Sequence, residues 1–122
     1  LPASLADIPL DFDTLQEHGC FIGSAAIVVF SQADSAVEMT RNLMRFFVHE
    51  SCGLCTPCRA GTAKALALIN QPQWNVPLLQ ELSAVMRDAS ICGLGQAAPN
   101  PVDCVIRYFP HEIVGTNTGA TP

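Results

Sequence analysis

The strongest constraint on the fold is a run of three cysteines, Cys52-Gly53-Leu54-Cys55-Thr56-Pro57-Cys58, with two residues between each thiol and the next. Thiols are soft ligands, and as thiolates they hold zinc or iron–sulfur clusters. Structural zinc sites draw two ligands from one turn and two from a distant one. A C-x2-C-x2-C run is instead the arrangement that meets three corners of an iron–sulfur cubane. Gly53 allows a tight turn inside the loop, and Pro57 removes an amide that would otherwise need a partner.

A cubane takes a fourth thiolate. A ferredoxin-type run supplies it at once, as C-x3-C-P, but Cys58 is followed by Arg59-Ala60-Gly61-Thr62. The fourth ligand must come from elsewhere, and Cys20, Cys92 and Cys104 are the candidates. Cys92 lies in Ser90-Ile91-Cys92-Gly93-Leu94-Gly95-Gln96, a turn-rich loop between two helical patterns. Its glycines allow close backbone approach and leave amides free to point at sulfur. Cys104 sits on a helical pattern whose apolar stripe is Val102, Val105, Ile106 and Phe109. It stands roughly 200° round from Val102, off that stripe. Cys20 precedes an apolar, strand-like run and has no comparable turn chemistry. The residues therefore favour Cys52, Cys55, Cys58 and Cys92 as ligands, with Cys104 a free, semi-exposed thiol and Cys20 a packed core thiol. A zinc staple in a non-redox interaction domain is the alternative. A disulfide framework is disfavoured because nothing in the chain looks secreted.

Around the cysteines the pattern predicts helices. Residues 1–19 read as loop with one helical turn near Phe12 to Glu17, and Phe21-Ile22-Gly23-Ser24 as a turn. Ala25 to Phe30 is short, apolar and β-branched, the pattern of a buried strand. Asp34 or Ser35 can cap a helix running to about His49, with Glu38 placed for a capping box. Its polar residues Glu38, Arg41, Asn42, Arg45 and His49 share an arc of roughly 100°. Met39, Leu43, Met44, Phe46, Phe47 and Val48 fill much of the rest, so a wide face is expected to be core. Thr56-Pro57 starts a second, Ala-rich helix reaching Asn70, and Trp74 plugs the bundle edge after it. Asn75 and Pro77 open a third, with Leu78, Leu79, Leu82, Val85 and Met86 on one face. Pro99-Asn100-Pro101 starts a fourth, which Pro110 stops. The expectation is a mainly α fold, a four-helix bundle over residues 34–112. It clamps the cluster between the loops preceding helices two and four, and a disordered tail follows at 113–122.

At 49% hydrophobic and 14% charged, the 122-residue chain is more apolar than an average soluble domain. That suggests surface meant for burial against other protein. The net charge of −5 argues against nucleic acid and anionic membranes. No apolar run reaches membrane-spanning length, so no direct membrane insertion is expected. Cysteines kept as thiolate ligands point to a reducing, cytoplasmic compartment.

Glu50-Ser51-Cys52-Gly53-x-Cys55-x-Pro57-Cys58-Arg59-x-Gly61, followed by Cys92-Gly93-Leu94-Gly95 and Ala98-Pro99-Asn100-Pro101, resembles the carboxy-terminal part of a flavoprotein family. This is the NADH-binding "51 kDa" family of respiratory NADH dehydrogenase. It includes the diaphorase subunits of NAD-linked hydrogenases and the beta subunits of NAD-dependent formate dehydrogenases. The resemblance runs from about Leu10 to Glu112, and Asp103 to Glu112 leans toward the formate dehydrogenase branch. It implies that Cys52, Cys55, Cys58 and Cys92 hold a [4Fe-4S] cluster beside a flavin. The module would relay single electrons between FMN and the other iron–sulfur centres of a multisubunit complex. It places FMN and NAD(H) in an upstream Gly-rich region, so these residues alone are not expected to be catalytic. Residues 1–33 become a remnant of a β-grasp domain, in which relatives often have Gly where Ala25 and Ala26 stand. Arg59 is a candidate for tuning the cluster, while His49 and His111 read as surface residues.

Overall fold

The structure is a computed structural model and describes residues 1–117. Caps fix where its helices begin. Asp11 accepts the Thr14 amide at 2.6 Å and the Thr14 hydroxyl at 3.0 Å, opening α1 (Thr14–Glu17). Those two bonds, the backbone one foremost, hold the Asp11 carboxyl below its usual range. Ser35 Oγ accepts the Glu38 amide at 3.2 Å and opens α2 (Ala36–Glu50). The reciprocal half of the capping box is not made, because the Glu38 carboxylate pairs with Arg41 instead. Glu112 accepts the Ala36 amide at 2.9 Å, bringing the far end of the chain onto this cap. Pro57 lies in the first turn of α3 (Thr56–Ile69), and Asn75 caps α4 (Val76–Ala89) through the Leu78 amide. The chain then forms α5 (Gly93–Ala97), α6 (Asn100–Tyr108) and α7 (Pro110–Asn117).

The long helices close a ring: α2 packs on α3, α3 on α4, α4 on α6, and α6 back on α2. This is the expected mainly α four-helix bundle. Met44, Ile69, Leu79, Met86 and Val102 fill its centre and are fully buried. Each such side chain contributes roughly 1.5–3 kcal/mol when withdrawn from water. Trp74 seals one end, as its sequence position suggests, and its indole Nε1 donates to the Ile69 carbonyl at 3.1 Å. Arg41 Nε donates to the same carbonyl at 2.8 Å. Gly61 sets the approach of α3 and α4, since a Cβ there would lie 2.6 Å from Met86 Cγ.

Several expectations are corrected. Ala25–Phe30 is not a buried strand: there is no strand among the described residues, and Ile27, Val28 and Val29 are exposed. A lone extended segment has no neighbouring strand to satisfy its amides, so water must do so. The turn before it is closed by the Ala25 amide on the Ile22 carbonyl at 2.8 Å. Ala25 itself takes φ +64°, a conformation natural to glycine. The apolar face of α2 is narrower than its composition suggests. Val37, Thr40 and Met44 point inward, whereas Leu43 and Phe46 are 44% and 56% exposed, because the ring covers only one side of the helix. The Cys92 stretch is not all loop, since α5 grows from it. Pro110 does stop the fourth helix, since α6 ends at Tyr108, but it also suits the first turn of a further helix, α7, whose Ile113 is buried in the core. Residues 113–117 of the expected tail are thus helical, and 118–122 lie outside the described residues. Among the described residues no helix is long and apolar enough to cross a membrane.

Candidate metal centre

Of the three closely spaced cysteines, Cys52 and Cys55 lie in the link between α2 and α3, and Cys58 lies in the first turn of α3. Gly53 takes φ +77°, the left-handed turn its position requires. Arg59, one turn into α3, reaches back over the loop. Its Nη1 donates to the Gly53 carbonyl at 2.6 Å and its Nη2 to Thr56 Oγ1 at 3.3 Å. Arg59 is thus a clasp on the loop. On the inner side the Gly53 amide donates to Ser51 Oγ at 3.3 Å, and that hydroxyl lies 3.2 Å from Cys58 Sγ. Cys58 is buried, Cys55 half-buried and Cys52 exposed.

Cys55 is the N-cap of α3. The backbone of Ile91, then that of Cys58, hydrogen-bond its sulfur and hold its pKa below the ordinary thiol value, with a smaller contribution from Arg59. Ile91 immediately precedes Cys92, the exposed N-cap of α5. Deeper in, the two loops touch at Gly95: a Cβ there would stand 2.4 Å from Ser90 Oγ and 2.9 Å from Cys58 Cβ. The fold therefore brings Cys55 and Cys58 against the turn that carries Cys92.

Among the described residues, no three His, Cys, Asp or Glu side chains converge on one metal-ion position. A tetrahedral zinc site needs sulfurs about 3.8 Å apart, from Zn–S bonds of about 2.3 Å. A cubane binds each thiolate at a different iron, so its ligands stand further apart. The donor chemistry fits such a cluster. All of these cysteines are free thiols, and the Cys55 pKa is held below the ordinary thiol value. Ser90 Oγ is buried beside them with no hydrogen-bond partner among the described residues. A buried hydroxyl needs an acceptor, and thiolate or inorganic sulfide is an acceptor of the kind that cluster sites supply.

Ser51 and Ser90 belong to the site, and sequence reasoning misses them. Their only signal is a place directly before a ligand motif, Ser51 adjacent to Cys52 and Ser90 two residues before Cys92. His49 faces solvent beside Glu50, and His111 is exposed with its ring near Phe109, so both are surface residues as expected. Cys20 and Cys104 do not join it either. They meet each other instead, with sulfurs 3.7 Å apart. Cys20 is accordingly a half-buried thiol outside the apolar core.

Residues 38–115 match the family model described as the NADH-ubiquinone oxidoreductase-F iron-sulfur binding region. A relative from Rickettsia rickettsii (strain Sheila Smith), one of the subunits of NADH-quinone oxidoreductase, is 35% identical over 119 residues, covering 93% of this chain and 28% of the relative. The mitochondrial NADH dehydrogenase [ubiquinone] flavoprotein 1 of Dictyostelium discoideum is 36% identical over 120 residues, covering 93% of this chain and 25% of the relative. A solved structure of NAD+-reducing [NiFe]-hydrogenase in the H2-reduced state superposes with a TM-score of 0.69 at 34% identity, covering 72% of this chain and 16% of that one. The chain thus spans 28% or less of the length of each of these relatives.

Proposed function

We propose, from the premise that this chain belongs to the family of the NADH-ubiquinone oxidoreductase-F iron-sulfur binding region, that it is the electron-relay module of an NAD-linked flavoprotein oxidoreductase. Cys52, Cys55, Cys58 and Cys92 are its [4Fe-4S] ligands. The observation that carries this reading is the close approach of Gly95 to Cys58 and Ser90, which joins the three-cysteine run to the Cys92 turn. When bound, a four-thiolate cluster supplies one-electron transfer and, with every iron ligated by protein, offers no position for a substrate.

The chain's own residues build the surroundings of that centre. Cys58 anchors the site in the bundle, and the Ile91 and Cys58 backbones stabilise the Cys55 thiolate. Arg59 keeps the loop closed through the Gly53 carbonyl. Ser90 offers a hydroxyl to sulfur from the dry side. Leu54 and Ile91 flank the ligands and are 78% and 69% exposed, apolar surface suited to a flavin- and NADH-binding region packed over the cluster. We assign residues 34–112 to the cluster-binding domain and 1–33 to one end of a β-grasp domain. FMN and NAD(H) belong to the upstream region, and the partners are other iron–sulfur subunits of a cytoplasmic complex. Within the family, the ending Asp103 to Glu112 favours a formate dehydrogenase beta subunit, ahead of a hydrogenase diaphorase or a respiratory NADH dehydrogenase.

Iron and acid-labile sulfide assays on anaerobically purified protein test the core of this reading. About four irons and four sulfides per chain are expected, from the composition of a cubane, with loss of both in Cys58→Ser and Cys92→Ser. One zinc per chain without sulfide would overturn it in favour of a zinc-stapled interaction domain. Copurifying subunits, assayed with formate, hydrogen or quinone as the second substrate, decide the branch.

A further inference from the structure

The second group of thiols lies away from the ligand loops. Cys20 and Cys104 are 84 positions apart in sequence, yet their sulfurs are in contact at 3.7 Å. Their meeting is built into the fold. Tyr108 Oη donates to the His18 carbonyl at 2.7 Å, and Arg107 Nη1 donates to the Glu17 carbonyl at 3.2 Å. Cys104 Sγ points at the Gly19 carbonyl at 3.7 Å. Three consecutive carbonyls, 17 to 19, are thus held by one face of α6, and Gly19 turns with φ +77° to deliver Cys20. Both thiols line a cavity of about 710 Å³, with Gln16, Asn100, Arg87 and Arg107 also on its wall. That volume lies within the range of small-molecule sites, and on its wall Arg87 is paired with Asp103.

We propose that Cys20 and Cys104 are a redox pair, a dithiol that low-molecular-weight disulfides of the glutathione class convert reversibly to a protein disulfide. The bond ties the Gly19–Cys20 turn covalently to α6. One protein thiolate attacks a sulfur of the small disulfide, and the first small thiolate leaves. The second protein thiol loses its proton and attacks the resulting mixed disulfide, and the other small thiolate leaves. Two protein S–H bonds are replaced by one S–S bond, and the small disulfide is reduced by two electrons to two thiols. Closing the contact to a bond length of about 2.05 Å requires a movement of about 1.7 Å, shared by two side chains. Burial foremost, and then the neighbouring Cys20, pushes Cys104 up to about 12, so Cys20 is the thiol that attacks first. Cys52, Cys55, Cys58 and Cys92 take no part.

The test uses iron-loaded protein isolated anaerobically and exposed to oxidised glutathione. Free thiols are then alkylated, and the protein is digested with a protease pair that cuts between Cys92 and Cys104. The expected product is a Cys20 peptide linked to a Cys104 peptide, two hydrogens lighter than their sum and released by dithiothreitol. Both thiols are lost to alkylation together while the iron content is unchanged. In Cys104→Ser, Cys20 accumulates glutathione instead, because nothing resolves the mixed disulfide. Recovery of both thiols alkylated, or of separate glutathione adducts on each with no linked peptide in the wild type, overturns the proposal.

Discussion

Gly95→Ala is the sharpest perturbation of the contact between the two ligand loops. The new Cβ would stand 2.4 Å from Ser90 Oγ, 2.6 Å from Ser90 Cβ and 2.9 Å from Cys58 Cβ. Rotating Ser90 about χ1 moves its hydroxyl but not its Cβ. The Cys58 Cβ is fixed to the first turn of α3. Backbone must therefore move, which places the overpacking cost near the upper end of the usual range, about 3 kcal/mol. Alanine recovers about 1 kcal/mol through its better helix propensity. The net loss is about 2 kcal/mol, or about 8 °C in Tm for a chain of this size. The same displacement shifts Cys92 relative to Cys58, so iron retained per chain should fall alongside stability. Gly93→Ala is the matched control, in the same short helix but with nothing within 4 Å of its Cβ. It should be neutral or slightly stabilising. Thermal unfolding and iron analysis of the two variants give the answer. A Gly95→Ala protein as stable and as iron-rich as wild type, or a Gly93→Ala protein equally damaged, would show that the close approach of the loops is not what holds the site.

Gly61→Ala meets Met86 Cγ and Sδ at 2.6 and 2.9 Å. Because Met86 is flexible, the denaturant midpoint should report a smaller loss, about 1 kcal/mol, relieved when Met86 is shortened. Above pH 9 the protein should lose stability through Cys104. Its folded pKa of about 12 exceeds the ordinary thiol value, so its contribution is complete below pH 9 and disappears as pH rises toward 12. The slope is at most about 1.4 kcal/mol per pH unit, reduced by the water that reaches the thiol. Urea unfolding at stepped pH should find this slope flattened in Cys104→Ser; equal slopes in both proteins would refute the assignment. Chelation of iron should leave the helical circular dichroism largely intact, because Met44, Ile69, Leu79, Met86 and Val102 pack without the site. Hydrogen exchange should then accelerate at residues 51–58 and 90–95 first; global unfolding on iron removal would contradict this.

How much of the fold and site is legible in the sequence divides along physical lines. Local chemistry reads well. Ser35, Pro57 and Asn75 start their helices where caps and fixed φ angles dictate, and Gly53 sits where a left-handed turn is needed. Features that depend on distant neighbours do not. The face of α2 looks uniformly apolar, but only the ring of helices decides that Met44 is buried and Phe46 is not. Glu38 carries the capping-box signature, yet Arg41 takes its carboxylate and Glu112 serves the helix end from the far side of the chain. Spacing can never announce the meeting of Cys20 and Cys104, because it is made by α6 gripping the carbonyls of residues 17–19.

The segment Ala25–Phe30 shows the same division most clearly. Its β-branched residues predict a strand, and the backbone is free of regular helix there, but a strand exists only with a ladder partner. Ile27, Val28 and Val29 therefore stand 66%, 72% and 88% exposed. Ala25 adopts φ +64°, the conformation that glycine provides without cost at such a turn. Both features are unfavourable in isolation and become reasonable if another strand docks along residues 25–30. That is what the proposed β-grasp assignment supplies. Amide exchange gives the measurement. In the protein joined to its flavin-binding region, the amides of Ile27 to Phe30 should be protected in the alternating pattern of a ladder, while in these 122 residues alone they should exchange freely; free exchange in both would remove the β-grasp assignment and leave the bundle and its cysteines untouched.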